Sequence, residues 1–308
     1  MAAVVGLGVV GEAALQSFEL KNVFPLHGYD KYKDGGTGSL KECCTAPLIL
    51  LCLPTPYDDS LKTYDKQAIH DTLRKLTDLE YKGIVIIKST VEPGTTALYS
   101  KEFPTLTLCH SPEFLSAKSA FEDFHNQQHI VIGKGPNCTN TQTDILYRFF
   151  HTNYPQADIS LCTCTEAESM KCFVNTFYAV KVQYFNELYT LCQHMDVQYT
   201  HVRDLMLKNQ WINPMHTDVP GHDGRLSYGG ACLPKDTTAL LECMRRAGTP
   251  HEVLEGCVSE RNRMREETSP SSSSGMNDGG ICCDEDTASN QGKLETSAGL
   301  QPSDRTHI

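Results

Sequence analysis

The stretch GLGVVG sets glycines at positions 6, 8 and 11, directly after an apolar run and at the opening of a helical pattern. Glycines at that spacing allow a tight turn, close approach of a pyrophosphate and close packing of helix on strand, with the helix N-terminus facing the phosphates. Asp30 follows Gly11 by 19 residues and closes the second apolar run, where a carboxylate can hold both hydroxyls of a ribose. A 2′-phosphate would face that negative charge, so the pattern favours NAD over NADP, a preference tempered by Lys31 and Lys33. Two more segments occupy strand ends: LCLPTPYDD, with Pro54 and Thr55, and IIKSTVEPGTT, with Ser89 and Thr90. Their Pro, Ser, Thr and Gly content fits rigid loops beside a cofactor, beyond the carboxyl ends of strands.

Four later segments carry residue types that packing does not require. SPEFL sets Glu113, Phe114 and Leu115 just past a strand, and ESMKCFVN places Lys171 and Asn175 four apart, on one helix face. YFNEL carries Asn186 and Glu187. In SYGGACLPKD, Tyr228, Gly229 and Gly230 precede Cys232, and Lys235 and Asp236 follow it. A cysteine between glycines and a helix start can have its thiolate stabilised by backbone N–H groups and a lysine, as a thiol nucleophile needs. Lys171 and Asn175 both donate hydrogen bonds and suit a developing oxyanion or a positioned water. A buried thiol and a snorkelling lysine are the packing alternatives. Composition and periodicity do not show that these segments meet.

The elements that must position these residues are legible as an alternation. Apolar runs at Ala3–Gly6, Phe24–Tyr29, Leu48–Leu53, Gly83–Lys88, Thr105–Cys109 and His129–Ile132 read as strands. Separated by crossovers such as Glu12–Phe18 and Tyr64–Thr77, they predict an α/β fold with a parallel sheet covered on both faces, a Rossmann domain over residues 1–135. A mainly helical domain is expected over 136–267, with a helix at Asn140–Phe150 and a short strand at Ile159–Cys162. A long helix, capped by Thr165 with Glu168 three residues on, runs from there to about Met195. About 30 residues of helix, or 45 Å, suits a connection between domains or a dimer interface. Helices are also expected at Thr237–Arg246 and from His251 to Glu267. Residues 268–308 are rich in serine and small polar residues and are expected to be disordered.

Composition narrows the classes of function. The 308 residues carry a formal net charge of -11, which gives no electrostatic case for a nucleic-acid partner. No apolar run is long enough to span a membrane and no leader precedes the first strand, so a cytoplasmic setting is expected. The 14 cysteines lack regular spacing and read as reduced thiols, and neither they nor the histidines form a zinc-ligand pattern, so no metal is expected.

Taken together, GLGVVG, PTP at Pro54–Pro56, KSTVEPGTT, SPEFL, the block from ESMKCFVNTF through YFNELYTLC, and YGGACLPKD resemble the UDP-glucose 6-dehydrogenase family, among the UDP-glucose/GDP-mannose dehydrogenases. The likeness spans roughly residues 4–250, in the family's order. It implies oxidation of a nucleotide-sugar C6 alcohol to the carboxylate with two NAD per sugar, a UDP-sugar substrate with UDP-glucose first, and a homodimer. By position, Cys232 matches the family's catalytic cysteine, which traps the aldehyde as a thiohemiacetal that is oxidised to a thioester. Lys171 and Asn175 match the lysine and asparagine near the reacting oxygen, and Asp236 the aspartate that assists the first proton removal. Glu113 matches the glutamate of thioester hydrolysis and Thr90 the threonine beside water and cofactor. Gly6, Gly8, Gly11, Asp30, Pro54, Thr55, Ser89, Thr90 and Lys235 are the expected cofactor residues. Phe114, Leu115, Lys171, Asn175, Tyr228, Gly229 and Gly230 are the expected substrate residues.

Three departures stand out. Ala117 replaces a second glutamate, and Trp211, Ile212, Asn213 and Pro214 replace an Arg-Ile-Gly run and its arginine. Where the family has a third domain that grips UDP, this chain continues into the serine-rich segment. The resemblance thus implies a short form, with Arg225 or Lys208 and a partner subunit as candidate grips. The alternatives are a weakly catalytic NAD-binding or regulatory protein and a dehydrogenase of another nucleotide sugar, such as a UDP-N-acetylhexosamine or GDP-mannose.

Overall fold

Runs of Val, Ile and Leu form the strands, and the amphipathic stretches between them form the helices. The computed structural model describes residues 1–267, and the expected disordered segment lies outside the described residues. The first half comprises β1 (Ala2–Val5), α1 (Val9–Leu20), β2 (Leu26–Tyr29), α2 (Leu40–Cys43), β3 (Leu48–Leu51), β4 (Tyr57–Asp58), β5 (Thr63–Tyr64), α3 (Gln67–Asp78), β6 (Ile84–Ile87), α4 (Thr95–Glu102) and β7 (Thr107–His110). The second comprises α5 (Ala120–His125), β8 (His129–Lys134), α6 (Asn140–Asn153), β9 (Asp158–Thr163), α7 (Cys164–His194), α8 (Tyr199–Leu207), α9 (Leu233–Ala247) and α10 (Glu252–Glu267).

Seven strands form one sheet in the order β2-β1-β3-β6-β7-β8-β9. Its first five strands are parallel, as expected, but β8 pairs antiparallel with β7 and β9 runs parallel to β8. The sheet is mixed at this point, where the connection from β7 contains only α5, six residues or about 9 Å long. The chain enters β8 from beyond β7's carboxyl end, and β8 pairs back through His110↔Gly133 and Cys109↔Lys134. Alternate residues serve two cores. Ala2, Val4, Leu50 and Ile86 face one with Phe18, Phe124 and Phe150. Ala3, Val5, Leu51 and Ile87 face the other with Leu73, Leu76 and Tyr99.

The division expected between residues 135 and 136 falls inside this sheet, since β8 pairs with β9 from His129↔Asp158 to Lys134↔Thr163. The strand anticipated in the helical domain is thus the seventh strand of the sheet. Pairing as far as Thr163 also moves the cap of α7. Thr163 and Glu166 form the capping box, in place of Thr165 and Glu168. Glu168 is instead fully buried and accepts hydrogen bonds from the Gly94 and Thr96 N–H groups at 2.6 and 2.7 Å, which fastens the start of α4 to α7. Tyr64, expected to open a helix, lies in the β4–β5 hairpin. α9 begins at Leu233, four residues before the expected Thr237, because Pro234 is tolerated in a first helical turn.

Candidate active site

The carboxyl ends of β1, β2, β3 and β6 open on one cavity of ≈ 540 Å³, whose lining includes Gly6, Gly8, Asp30, Pro54, Thr55, Lys88, Ser89, Thr90, Glu113, Cys232 and Lys235. Two glycines fix the turn at its floor. Gly6 has φ +89° and a Cβ there would lie 2.4 Å from the Cys52 carbonyl oxygen, while a Cβ on Gly11 would lie 1.8 Å from that of Gly6. Gly11 therefore packs the turn and does not line the cavity. At Gly8, the N-cap of α1, a Cβ would meet nothing within 4 Å, so the helix N-terminus is open to a phosphate. Asp30 accepts hydrogen bonds from the Leu7, Tyr32 and Lys33 N–H groups at 2.8, 2.9 and 2.9 Å. Burial opposes its ionisation, but these bonds and the Lys33 charge hold the carboxyl below its ordinary range. Asp30 is thus held in its ionised form. Thr55 donates to the Thr90 carbonyl at 2.8 Å, and Ser89 Oγ donates to the Leu53 carbonyl at 2.7 Å while accepting from its N–H at 2.9 Å. These bonds stitch the two cofactor loops together.

At the far end of the cavity stands Cys232, exposed and at the N-cap of α9. Its surroundings do not favour the thiolate in the way its flanking residues suggest. Partial desolvation pushes the thiol up, and Lys235 and Lys171 offset this only in part against Asp236 and Glu113. Behind it Asp236 is fully buried and accepts three hydrogen bonds of 2.6 Å, from Tyr64 Oη, Lys235 Nζ and Asn175 Nδ2. Lys171 Nζ donates to the Glu113 carbonyl at 2.7 Å and to its carboxylate at 3.2 Å. Lys88, 3% exposed, donates to Ser111 Oγ at 3.3 Å and to the Pro112 carbonyl at 3.1 Å. Two ammonium groups thus grip successive carbonyls of the SPEFL loop.

Tyr64 and Lys88 belong to this cluster, and neither stands out in the sequence. Each reads locally as the end of an element, and Tyr64 meets a partner 172 residues away. Other expected residues take different places. Lys171, Asn175 and Asp236 stand behind the wall formed by Glu113, Cys232 and Lys235. Phe114 and Leu115 line a separate hollow of ≈ 490 Å³ that shares Glu113, where Phe114 stacks on His129. Tyr228 is buried against Ala179 and Cys257. A Cβ on Gly229 would lie 2.5 Å from the Arg265 guanidinium, while Gly230 is exposed with φ +75°. α10 clasps this loop: Arg265 donates to the Ser227 carbonyl at 2.8 Å and to Asp223 at 2.6 Å, and Arg261 to the Tyr228 carbonyl at 3.3 Å. Asn186 accepts from the Ser227 N–H at 2.8 Å, and Glu187 from Gln183 at 3.0 Å. The YFNEL segment therefore supports the loop and does not enter the cavity. Among the described residues no group of three or more side chains could hold a metal ion, and no helix is long and apolar enough to cross a membrane.

Comparison with known proteins decides between the scaffolds on which such a cavity occurs. Residues 34–151 match the NAD binding domain of the UDP-glucose/GDP-mannose dehydrogenase family, and residues 165–264 match its central domain. The chain belongs to this family. Its cofactor is accordingly NAD, which the open Gly8 turn and Asp30 fit. A UDP-glucose 6-dehydrogenase of Campylobacter jejuni is 28% identical over 257 residues, covering 83% of this chain and 61% of the relative. A GDP-mannose 6-dehydrogenase of Pseudomonas syringae is 27% identical over 222 residues, covering 67% and 48%. The chain thus spans about three fifths of the longer-matched relative. Among solved structures, a UDP-glucose dehydrogenase from Pyrobaculum islandicum superposes with a TM-score of 0.72 at 22% identity, covering 86% of this chain and 68% of that one. That likeness shows the fold.

Proposed function

We propose that this member of the UDP-glucose/GDP-mannose dehydrogenase family oxidises the C6 alcohol of a UDP-sugar, UDP-glucose first, to the carboxylate. One observation carries the reading: Cys232, Lys235, Glu113 and Thr90 line the same cavity as Gly6, Gly8 and Asp30. NAD supplies a hydride acceptor, used twice per sugar. Asp236, held by three donors, stands behind the cavity wall and, with Lys171 and an ordered water that relays the proton, assists removal of the alcohol proton as the first hydride leaves C6. The Cys232 sulfur then bonds to C6 of the aldehyde and the thiol proton passes to its oxygen, which suits a thiol that is neutral at rest. Loss of a second hydride from C6 and of the hydroxyl proton leaves a thioester, with Lys171 and Asn175 donating toward the oxygen as its charge develops. Water positioned by Glu113 and Thr90 breaks the C–S bond and returns the thiol and a carboxylate. The bonded aldehyde cannot diffuse away between the two oxidations.

The unit that binds NAD ends with β9, and the helical unit carries both the thiol and the surface for a second copy. Phe173, Phe177, Tyr184 and Leu191 form an exposed apolar stripe along α7, each more than half exposed. That stripe supports a homodimer through this helix. A reducing, cytoplasmic setting suits the free thiols of the described residues.

The test is the number of NADH molecules formed per UDP-glucose consumed to completion by the purified chain. The expected value is two. A value of one means that aldehyde is released and that Cys232 does not act as the nucleophile. NAD binding without any NADH sinks the assignment to UDP-glucose and favours a non-catalytic NAD-binding protein or another nucleotide sugar.

A further inference from the structure

The dinucleotide cavity is electrically lopsided. At the end of the edge strand β2, the carboxylates of Asp30 and Asp71 stand with the ammonium groups of Lys31 and Lys75, which balance them. At the other end the ammonium groups of Lys88 and Lys171 share one carboxylate, Glu113, which lies 3.2 Å from Lys171. Among the described residues no carboxylate lies within ion-pair distance of Lys88, whose hydrogen bonds go to the neutral oxygens of Ser111 and Pro112. The remaining titratable neighbours do not compensate it. Lys235 is balanced by Asp236 at 2.6 Å. Burial pushes the Cys52 thiol up to about 12, which leaves it neutral. Burial, and then Lys88 and Lys171, hold the fully buried His110 down to about 3, also neutral. Burial lowers Lys88 itself to about 8, still charged at pH 7. One positive charge is therefore in excess.

The strand order fixes where that excess lies relative to a bound dinucleotide. β2 and β6 are separated by β1 and β3, three inter-strand steps or about 14 Å. With a ribose at Asp30 and the pyrophosphate at the Gly8 turn, the nicotinamide is directed to the β6 side, where Lys88, Thr90 and Cys232 line the cavity. A nicotinamide ring carries a positive charge when oxidised and none when reduced, so a fixed cation nearby disfavours the oxidised form.

We infer that the Lys88 ammonium biases the bound cofactor toward its reduced form and so favours hydride removal from substrate. The inference rests on the NAD reading of the cavity and on the proposed oxidation of a sugar alcohol. It makes Lys88 more than a support for the Pro112 loop, since a support would act on both cofactor forms alike.

The experiment titrates the full chain with NADH, by its fluorescence, and with NAD⁺, by competition, at pH 7. The ratio Kd(NAD⁺)/Kd(NADH) is expected to fall about tenfold in Lys88→Met, the size of a through-space charge effect at this range, and to survive in Lys88→Arg. Glu113→Gln removes the shared negative charge and is expected to move the ratio the opposite way. An unchanged ratio in a folded Lys88→Met, with both constants weakened together, overturns the inference but leaves the NAD site standing. If Lys88→Met does not fold, failure of Glu113→Gln to raise the ratio overturns it. Absence of binding of either form to the wild-type chain overturns both the inference and the reading of the cavity.

Discussion

Asp236 has no access to solvent, yet it is the end point of three donors from three parts of the chain. Removing the Tyr64 hydroxyl leaves Oδ1 with Lys235 alone and loosens a carboxylate that the proposed proton removal needs fixed. A hydrogen bond to a charged group is worth about 1.5–3 kcal/mol, so Tyr64→Phe is expected to lower kcat with UDP-glucose by about tenfold or more. The Kd for NADH should stay as in the parent, because Tyr64 does not line the cavity. Steady-state kinetics beside a fluorescence titration separates the two, and an unchanged kcat in a folded variant would remove Tyr64 from the site. Cys232, Lys171, Asn175, Glu113 and Asp236 stood out in the sequence as residue types that packing does not require. Their juxtaposition, and the parts played by Tyr64 and Lys88, were not legible, because contacts across 172 or 24 residues leave no trace in local spacing.

At the scale of elements, α7 does most to bring the pieces together. Lys171 and Asn175 on one side stand behind the cavity wall, and Glu168 one turn earlier seizes the start of α4. The opposite side carries the aromatic stripe. A stripe of this kind marks an association surface when it is contiguous and repeats at helical spacing. Light scattering is expected to give twice the 34.2 kDa chain mass for the wild type and a single chain mass for Phe177→Asp with Tyr184→Asp. A wild-type monomer would sink the interface. The period of α7 was readable from its apolar positions, but its first residue was not. Both Thr163-x-x-Glu166 and Thr165-x-x-Glu168 satisfy a capping box, and only pairing with β8 decides between them. The reversal of β8 was hidden for a similar reason, since strand direction is set by pairing with β7 and leaves no mark on the apolar run.

For the whole molecule, the α/β alternation and the strand sequence were legible because β1, β3 and β6 are apolar on both faces. What the sequence could not reveal is the burial of His110 between Lys88 and Lys171, with neither ring nitrogen partnered among the described residues. The folded His110 resists protonation until pH falls to about 3, whereas an unfolded chain takes up that proton near 6.5. Between those values the unfolded state binds more protons, so stability present above pH 6.5 is lost as pH falls, by about 1.4 kcal/mol per unit from this group alone. Denaturant unfolding at pH 6.5 and 5 should therefore differ by roughly 2 kcal/mol more in the parent than in His110→Phe. Equal differences in the two proteins would contradict the burial. Finally, the clasp of α10 on the loop ahead of Cys232 imposes an order on biosynthesis. The NAD-binding half can take shape while the ribosome is still at work, but the glycine loop, held until then from α7 through Asn186, lacks its second set of anchors until Arg261 and Arg265 have emerged. The loop that carries Cys232 is thus clasped last, after the sheet that lines the cavity is complete.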